Sequence, residues 1–395
     1  MPDLALLRAR LDAAMAARGA WPGRSPWLRE AVAALPRDLF APDRLWRWDG
    51  RDYRPVDRAT DPDSWARELY ADQDAAAVTQ LTGGLPSSSL SSQAVVVDML
   101  DSLLIEPGQR VWDIGTGQGW NAALVARRAG PGRVVSTESD AGLAAFARGR
   151  LAAVDAAVEV VTADATGTPP PGGPVDRVIA TYAVDRVPWV WVAATRPGGR
   201  LVLPWGRLGH VALDVAADGR SASGWIQGLA QFMGDRTTDP APTTGPGAYA
   251  AVRGTGAPEA KHMIDRDLAP LREDWDLRFA LRVAVPDVAV FTAADEDGVS
   301  AWAHDGDRSW AALSAAGDDT VTVYQGGPRR VGDELLSAWD QWDGLGRPTP
   351  YDYGMTVLPD GQFLWLRDPG SGPRWPADAG PTTPDDRAPA VARRP

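Results

Sequence analysis

The feature of this sequence that most constrains its fold is a glycine-rich turn between an apolar strand and a helix. The segment WDIGTGQGW (112–120) passes through one acid, Asp113, and then carries glycine at every second position, Gly115, Gly117 and Gly119. Glycines at this spacing let the backbone turn tightly and approach a ligand more closely than a Cβ would allow. Since a plain tight turn has the same residues, the surrounding pattern must decide between the two interpretations.

The turn lies in a region where strand-like and helix-like segments alternate. The predicted elements are a helix at 94–104, a strand at 110–115, a helix at 119–128, a strand at 133–138, a helix at 140–153, and strands at 158–164, 176–181 and 199–206. This alternation predicts an α/β fold, a parallel sheet with crossover helices. Ligands of such sheets bind at the carboxyl ends of the strands.

Acidic residues follow the ends of successive predicted strands. Glu138 comes about twenty residues after the glycines, where a carboxylate can accept both hydroxyls of a ribose. Asp164 ends the third strand and is placed to bind the exocyclic amine of an adenine. The same pattern suits NAD, but Asp113 would set a negative charge against a pyrophosphate. A nucleoside cofactor with an amino acid end fits the turn better.

The rest of the chain predicts additional parts on both sides of this sheet. We expect an N-terminal helical segment at 1–90, which includes a helix at 26–40 and ends in a Ser-rich substrate loop at 79–93, then a cofactor-binding domain at 91–234, a linker at 235–260, a smaller C-terminal α+β module at 261–369 and a disordered tail at 370–395. The module is predicted to hold strands near 288–293, 298–303, 319–327, 355–358 and 362–366, and a helix at 332–342.

Composition limits the classes of partner. The net charge of −12 and the pI near 4.8 argue against nucleic acid, which requires a basic face. Without cysteine, and with only three scattered histidines, the chain is not expected to bind a metal. No apolar run approaches the roughly 18 residues of a membrane span. We therefore expect a cytoplasmic protein with no membrane partner, whose oligomeric state the sequence leaves open.

The sequence leaves open the roles of an Arg-rich segment and of two histidines. The Arg-rich segment GGPRRVGDE (326–334) could dock an acidic peptide, and a solvated run of charge explains it equally well. His210 and His304 are more typical of packing residues than of catalytic bases.

With these motifs in view, the segment 70–234 resembles the protein-L-isoaspartate O-methyltransferase family. Tyr70 and Asp72 resemble its Tyr-x-Asp pair, and a Ser-containing loop precedes the first cofactor strand, with Ser92 lying 21 residues before Asp113 (113 − 92). The resemblance implies a Rossmann-like class I methyltransferase that uses S-adenosyl-L-methionine and releases S-adenosyl-L-homocysteine. It also implies a substrate, namely a peptide or protein that bears an aspartyl or isoaspartyl carboxylate.

The resemblance also implies roles for individual residues. Ser92, with Ser91 as a second candidate, would hold the acceptor carboxylate. That carboxylate is already ionised at neutral pH, since its ordinary pKa is about 4, so no general base is needed. The implied cofactor-binding residues are Asp113, Gly115, Thr116, Gly117, Trp120, Asn121, Glu138, Ser139, Asp164, Ala165 and Thr181. Among them, Asp113 would meet the methionine end of the cofactor, Glu138 the ribose, and Asp164 with Ala165 the adenine.

Parts of the sequence depart from the family pattern. The segment LSSQA (90–94) lacks the threonine and the proline of the usual Thr-Ile-Ser motif. The segment VTQ (78–80), the pair Trp120-Asn121 and the stretch PDGQFLWLRDP (359–369) look more like the branch encoded with ribosomally made, post-translationally modified peptides, in which a methylated aspartate closes to an aspartimide. Isoaspartyl repair is the first alternative. The second is a cofactor-binding protein without turnover that recruits a partner through its C-terminal module.

Overall fold

A computed structural model of the protein describes residues 3–206, 208–235, 245–317 and 320–377. The chain divides into two compact units. The first comprises Met1–Gly224, Ala230–Met233 and Val357–Asp360, and the second comprises Trp225–Leu229, Gly234–Thr356 and Gly361–Pro395. No helix within the described ranges combines the length and the apolar character needed to cross a bilayer.

The first unit begins with three helices and a small antiparallel sheet. The helices are α1 (Leu4–Ala17), α2 (Trp27–Ala34) and α3 (Pro62–Leu69), and the strands are β1 (Arg44–Trp48), β2 (Tyr53–Asp57), β3 (Ala77–Thr82) and β4 (Leu85–Leu90). The strand order is β2-β1-β3-β4. The segment 1–90, predicted as helices and a Ser-rich loop, therefore also contains four strands that were not predicted. The helix predicted in 26–40, with its end at Pro36, is α2, which ends at Ala34 because Pro36 cannot continue it, and a short 3-10 helix follows at Arg37–Leu39.

The Ser-rich segment at 79–93 is a β-hairpin followed by a helix start, not a loop. Strands β3 and β4 pair from Ala77↔Leu90 to Thr82↔Leu85. Gly83 and Gly84 form the connection with φ angles of +59° and +82°. A two-residue hairpin turn requires positive φ at both positions, which glycine adopts freely. The two glycines therefore explain why this polar segment forms paired strands.

A parallel sheet with crossover helices follows, as the alternating pattern predicts. Its elements are α4 (Gln93–Leu103), β5 (Val111–Ile114), α5 (Trp120–Ala129), β6 (Val134–Glu138), α6 (Ala141–Ala153), β7 (Val158–Thr162), β8 (Val175–Ala180), α7 (Trp189–Ala193), β9 (Thr195–Trp205) and β10 (Gly209–Val215). The strand order is β10-β9-β8-β5-β6-β7. Strands β5 to β9 are parallel, whereas β10 runs antiparallel to β9. The α/β fold class is confirmed.

The register of the parallel strands brings their carboxyl ends to one edge. Ile114, the last residue of β5, pairs with Thr137 on one side and with Ala180 on the other. Strand β5 is buried along its whole length, as expected for the central strand of a sheet covered on both faces. The glycine turn therefore leaves the sheet between the ends of β6 and β8.

The second unit is an α+β structure. Its elements are β11 (Ala222–Leu229, which enters this unit at Trp225), α8 (Pro246–Arg253), β12 (Ala260–Asp265), α9 (Ala269–Glu273), α10 (Trp275–Ala284), β13 (Ala289–Asp295), β14 (Gly298–His304), β15 (Trp310–Ala315), β16 (Thr320–Gly326), α11 (Val331–Gly344), β17 (Tyr353–Val357), β18 (Gln362–Leu366) and β19 (Arg374–Pro376). Strands β12 to β16 form an antiparallel sheet in the order β12-β16-β15-β14-β13.

Two segments of this unit differ from the sequence prediction. Helix α8 lies inside the predicted linker at 235–260, with Pro246 in its first turn and Gly254 after its last residue, a pair that favours a short helix. Strand β19 lies inside the tail predicted to be disordered at 370–395, because it pairs with β18 through Leu364↔Trp375. The remainder of that tail, 378–395, lies outside the described residues. The predicted domain boundaries remain predictions.

Candidate active site

The glycine turn after β5 has a backbone that only glycine adopts easily. Gly115, Gly117 and Gly119 have φ angles of +86°, +52° and +88°. A Cβ on Gly115 would lie 2.9 Å from Thr181 Oγ1 and 3.0 Å from Tyr182 Cδ1, closer than side-chain atoms pack. The first turn glycine is therefore fixed both by its conformation and by its neighbours on the β8 side.

Asp113 lies beneath the turn rather than at its surface. Its residue is fully buried, and its carboxylate accepts hydrogen bonds from Asn121 Nδ2 at 2.6 Å and from the Ser136 hydroxyl. Burial raises the pKa of Asp113 to about 6, although both hydrogen bonds act in the opposite direction. The predicted contact of Asp113 with the methionine end of a cofactor stays a prediction. Through their hydrogen bond Asp113 and Asn121 tie β5 to α5.

Two other predicted cofactor residues also serve packing. Thr116 is buried, and its hydroxyl shares a hydrogen bond of 2.6 Å with Ser136 Oγ. Trp120 is buried, and its indole nitrogen donates a hydrogen bond of 2.8 Å to the carbonyl of Leu35 in the N-terminal part of the unit. Both side chains therefore face the protein interior. Their predicted roles in cofactor binding stay predictions.

Glu138 lies directly beside the turn, at the end of β6. Its Oε2 atom accepts a hydrogen bond of 2.9 Å from the backbone amide of Gly117, and its Oε1 atom accepts one of 3.1 Å from the amide of Asp140. A carboxylate oxygen has more than one acceptor site, so these bonds leave capacity for further donors. Ser139, the next residue, is exposed. The structure thus places an oriented carboxylate within hydrogen-bond distance of the turn backbone.

The remaining predicted residues follow the ends of β7 and β8. Asp164 is exposed and accepts hydrogen bonds from the amide and the hydroxyl of Thr166, at 2.8 and 2.7 Å. The carbonyl of buried Ala165 accepts a bond of 2.9 Å from Trp191 Nε1. Thr181 donates from its hydroxyl to the carbonyl of Gly115 at 2.6 Å. Thr181 is therefore hydrogen-bonded to the glycine turn, whereas Asp164 follows the outer strand β7 and has no such bond in the described residues.

The serine hairpin contacts the glycine turn. Gln118 donates from Nε2 to the hydroxyl of Thr79 on β3 at 3.0 Å. Ser88 Oγ on β4 lies 3.9 Å from the position that a Cβ of Gly117 would occupy. Gln80 donates from Nε2 to Asp140 Oδ2 at 3.2 Å. The three hairpin residues of this contact, Thr79, Gln80 and Ser88, were not predicted as site residues, because the segment was predicted to be a loop.

The two serines predicted to hold the acceptor differ in their environment. Ser92 is the N-cap of α4, and its hydroxyl accepts a hydrogen bond of 3.4 Å from the amide of Val95. Ser91 is half-buried, and among the described residues no hydrogen bond involves its hydroxyl. The cap uses the Ser92 oxygen only as an acceptor and leaves its hydrogen able to donate, so both serines stay predicted acceptor-binding residues.

A buried arginine fixes the end of the serine segment. The Arg37 guanidinium donates to the carbonyls of Leu69 at 2.8 Å, Leu90 at 3.0 Å and Ser91 at 3.0 Å. It also lies over the ring of Trp120 at 5.6 Å. Burial lowers the pKa of Arg37 to about 10, so the group remains charged at neutral pH. The backbone at Ser91 is therefore held by the guanidinium cation of Arg37, a residue of the N-terminal part of the chain.

The Arg-rich segment at 326–334 and the histidines His210 and His304, whose roles the sequence left open, contact other residues in the described part of the chain. Arg329 donates to Glu334 and to Asp287, each at 2.6 Å, which explains part of the Arg-rich segment as ion pairs. His210 is fully buried, with Nε2 3.5 Å from Asp98 Oδ2. His304 Nδ1 accepts a hydrogen bond of 3.1 Å from the amide of Gly306.

The parallel strand order and the glycine turn after its first strand define a Rossmann-like methyltransferase domain. Residues 56–223 match the sequence pattern of the family described as Protein-L-isoaspartate(D-aspartate) O-methyltransferase (PCMT). The chain belongs to this family.

Two protein-L-isoaspartate O-methyltransferases agree with the family match, and one solved structure is reported for its similarity alone. A protein-L-isoaspartate O-methyltransferase of Methylorubrum extorquens is 30% identical over 217 residues, which is 54% of this chain and 80% of the relative. One of Methanoregula boonei is 34% identical over 218 residues, 55% of this chain and 84% of the relative. A solved structure of a protein-L-isoaspartate O-methyltransferase, 17% identical, superposes with a TM-score of 0.49 and covers 91% of this chain and 100% of its own.

Enzymes of this family use S-adenosyl-L-methionine, which makes it the cofactor of this chain, and they are carboxyl O-methyltransferases. The residues around the turn fit that cofactor. No atom lies within 3.8 Å of the Cβ position of Gly117, so its backbone can be approached closely, and Glu138 offers a carboxylate beside Gly117. The family match begins at residue 56, so β1 and most of β2 lie outside it, as do the elements after residue 223.

Proposed function

We propose that this chain transfers the methyl group of S-adenosyl-L-methionine to a carboxylate oxygen of an aspartyl or isoaspartyl residue in a peptide or protein. The observation that carries the proposal is the contact between the serine hairpin and the glycine turn. Gln118 bonds to Thr79, and Ser88 lies against Gly117. A segment rich in hydroxyl donors therefore borders the residues that fit the cofactor.

Methyl transfer to an ionised carboxylate requires alignment of the two reactants and does not require a general base. S-adenosyl-L-methionine, when bound, supplies a methyl group on a positively charged sulfur. One carboxylate oxygen forms the new O–C bond as the S–C bond breaks, which leaves a neutral ester and a neutral thioether, and no proton moves. The acceptor is ionised at neutral pH because its pKa is about 4. Correct alignment of two reactants can lower a barrier by about 7–11 kcal/mol.

The residues of the site divide between the two substrates. Glu138 would accept the ribose hydroxyls, and Asp164 with the backbone at Ala165 would meet the adenine. The hydroxyl of Ser91 would donate to the acceptor carboxylate and hold it in line. Arg37 supports this arrangement because it fixes the carbonyls of Leu90 and Ser91. Positioning of an anion by one neutral donor also leaves its nucleophilic oxygen free.

An isoaspartyl carboxylate is the first acceptor to test, because the relatives are named for it. A second candidate is an aspartate in a modified precursor peptide. There the backbone nitrogen of the following residue would attack the methyl ester, expel methanol and close an aspartimide. The resemblance of VTQ (78–80), Trp120-Asn121 and PDGQFLWLRDP (359–369) to the branch encoded with modified peptides supports this candidate.

Mass spectrometry on the full chain separates these functions. The protein is incubated with S-adenosyl-L-methionine and one of three peptides: an isoaspartyl peptide, its aspartyl isomer, or a ring-containing aspartyl precursor. Gain of one CH₂ on the isoaspartyl peptide supports repair-type activity. Gain of CH₂ followed by net loss of one water, on the ring-containing peptide alone, supports aspartimide formation. Cofactor binding by calorimetry without methylation of any peptide would overturn the proposal in favour of a partner-recruiting protein without turnover.

A further inference from the structure

Arg37 is a buried cation that forms no ion pair with any carboxylate of the described residues. The residue is 1% exposed. Within the described ranges its guanidinium donates hydrogen bonds only to backbone carbonyls, those of Leu69, Ala75, Leu90 and Ser91. Its Nε atom has no hydrogen-bond partner in the same part of the chain. Burial of a cation is costly unless an opposite charge compensates it, so the charge of Arg37 destabilises the chain when no anion is bound nearby.

Asp38, the acidic residue next to Arg37 in the chain, is engaged by other groups. Its Oδ1 atom accepts hydrogen bonds from Arg8 Nε at 2.8 Å and from the hydroxyl of Tyr70. Its Oδ2 atom forms an ion pair with the same arginine, Arg8. Burial lowers the pKa of Arg37, as expected for a cation that no adjacent carboxylate stabilises. The charge of Asp38 is therefore compensated by Arg8, and that of Arg37 is not.

Attachment of the serine segment does not by itself require a cation. The neutral side-chain amide of a glutamine has two N–H donors and could hold two backbone carbonyls. Arg37 instead combines these donors with a full positive charge, and the ring of Trp120, whose centroid lies 5.6 Å from the guanidinium carbon, favours a cation over a neutral group. The surroundings of Arg37 therefore preserve a charge at this position in addition to hydrogen-bond donors.

The charge lies next to the serine segment that borders the glycine turn. Arg37 Nη2 is 3.0 Å from the carbonyl of Leu90 and 3.0 Å from that of Ser91, so a single residue separates the cation from the Ser91 hydroxyl. Ser91 is half-buried, which leaves its side chain within reach of a ligand. Salt screens a buried charge much less than an exposed one. An anion bound at Ser91 is therefore attracted by Arg37, although the whole chain has a net charge of −12.

We propose that the charge of Arg37 makes the site selective for an anionic acceptor, so that the carboxylate of the bound substrate is the counter-ion of this buried cation. This inference rests on the proposed function. Arg37 does not touch the substrate, since it is buried behind the backbone at Ser91, and it is therefore a positioning residue that acts through its electric field. A neutral carboxamide of the same shape gains nothing from this field.

The same charge distinguishes the substrate from the product. Methyl transfer converts the anionic carboxylate into a neutral ester, which Arg37 no longer attracts. Binding of the acceptor is thereby favoured over binding of the ester, and release of the ester is aided. Because the acceptor loses negative charge as the O–C bond forms, the cation stabilises the bound substrate more than the transition state. The contribution of Arg37 is therefore to acceptor affinity and not to the rate of the chemical step.

Calorimetry with two synthetic peptides at neutral pH tests the selectivity. One peptide contains an isoaspartyl residue, and in the other the free carboxylate of that residue is a carboxamide. The full chain is saturated with S-adenosyl-L-homocysteine, whose sulfur is neutral, so that a sulfonium does not contribute to the attraction. We expect the unaltered chain to bind the carboxylate peptide roughly tenfold more tightly, and Arg37→Gln to reduce this preference to about twofold or less.

The ratio of the two affinities separates the charge of Arg37 from its structural role. Misplacement of the backbone at Ser91 weakens the binding of both peptides alike, whereas loss of the charge weakens only that of the carboxylate peptide. Arg37→Lys retains the charge and should retain the preference. Arg177→Gln is the matched control, because Arg177 is half-buried and donates to the carbonyl of Leu103 at 3.0 Å, but lies near the start of β8, away from the glycine turn. It should keep the preference.

Other outcomes distinguish this inference from the proposed function. Equal affinity of the unaltered chain for both peptides, or a preference that survives in Arg37→Gln, would overturn the inference, and methylation of the isoaspartyl peptide would leave the function intact. If Arg37→Gln does not fold, as judged by circular dichroism, loss of the preference in a folded Arg37→Lys rejects the inference and its retention supports it. A preference that depends on Arg37, without methylation of the isoaspartyl peptide, supports the inference and rejects the function. Binding of neither peptide overturns both.

Discussion

Gln118 in the glycine turn and Thr79 on strand β3 are joined by a hydrogen bond of 3.0 Å between the side-chain amide and the hydroxyl. A second bond links Gln80 on the same strand to Asp140, whose own amide donates to Glu138. The hairpin with the acceptor serines and the carboxylate beside the cofactor turn are therefore parts of one hydrogen-bonded network. Changes at this contact should affect catalysis more than cofactor binding.

Removal of the contact between hairpin and turn tests this expectation. Gln118→Ala and Thr79→Val each remove a neutral hydrogen bond, whose net value is about 0.5–1.5 kcal/mol, so kcat should fall by up to roughly tenfold. The Kd for S-adenosyl-L-methionine, measured by calorimetry, should change less than twofold. Because both changes delete the same bond, the double variant should be no worse than either single one. Fully additive losses in kcat would contradict the assignment.

Glu138→Gln tests the carboxylate beside the turn. The amide oxygen of glutamine can still accept from Gly117, but the bond from the Asp140 amide and the charge-assisted bonds to the cofactor are lost. Hydrogen bonds to charged groups contribute about 1.5–3 kcal/mol, so the Kd for S-adenosyl-L-methionine should rise by roughly 10- to 100-fold. Glu159→Gln, on the exposed side of β7, is the control and should bind as the unaltered chain does. Equal affinity in both variants would refute the ribose role.

Gly115→Ala tests the turn itself. The residue has a φ of +86°, and a Cβ would lie 2.9 Å from Thr181 Oγ1. We expect the free energy of unfolding to fall by about 1–3 kcal/mol and the thermal shift caused by S-adenosyl-L-methionine to disappear. Gly130→Ala is the control, because that residue also has a positive φ, +102°, but no atom lies within 4 Å of its Cβ position. It should lose stability through backbone strain alone and keep the ligand-induced shift.

His210 should make the protein less stable in acid. Burial lowers the pKa of His210 to about 4, below its ordinary 6.5. Between these values the unfolded chain binds a proton that the folded chain does not, so the contribution of His210 to stability is complete above pH 6.5 and declines as the pH falls toward 4. The loss should reach about 3 kcal/mol.

Urea denaturation at pH 7 and at pH 4.5 measures this effect. His210→Leu removes the titrating group, so the free energy of unfolding of that variant should fall less between the two pH values than that of the unaltered chain. An identical decrease in both proteins would show that His210 does not titrate as its burial requires.

The helix cap gives a further prediction for the serine segment. Ser92→Ala removes the N-cap of α4 and should lower the free energy of unfolding by about 1 kcal/mol. We expect its kcat, measured below the unfolding temperature, to stay within about threefold of the kcat of the unaltered chain. This corresponds to a change of under about 1 kcal/mol in the activation free energy. Ser92→Asn retains a capping side chain and should restore the stability.

The sequence predicted the parallel sheet well because buried strands and crossover helices carry strong and regular patterns. Strand β5 was expected at 110–115 and lies at Val111–Ile114, and β6 was expected at 133–138 and lies at Val134–Glu138. The antiparallel sheet was missed. Strand β4 is rich in serine, which has no strong strand preference, so its pairing depends on β3 and the turn. Asp49-Gly50 in the β1–β2 hairpin is a turn signal that could have revealed the other pair.

Chain position in the glycine motif does not give the direction of each side chain. Asp113, Thr116 and Trp120 lie in the motif, yet their side chains face the interior. Whether a side chain points to the ligand or to the core depends on packing partners far along the chain, such as Leu35 for Trp120, which local spacing does not reveal. For Ser92 a signal was present, since a serine just before a helix start is typical of an N-cap.

The central claim is that Ser91 holds the acceptor carboxylate beside the cofactor turn. Single-turnover methyl transfer from radiolabelled S-adenosyl-L-methionine to an isoaspartyl peptide, compared between Ser91→Ala and Ser92→Ala, tests it most directly. The account predicts that Ser91→Ala lowers the transfer rate by roughly 100-fold, the scale of a lost transition-state donor, with cofactor affinity unchanged and with Ser92→Ala nearly as fast as the unaltered chain. An unaltered transfer rate in Ser91→Ala would contradict the account.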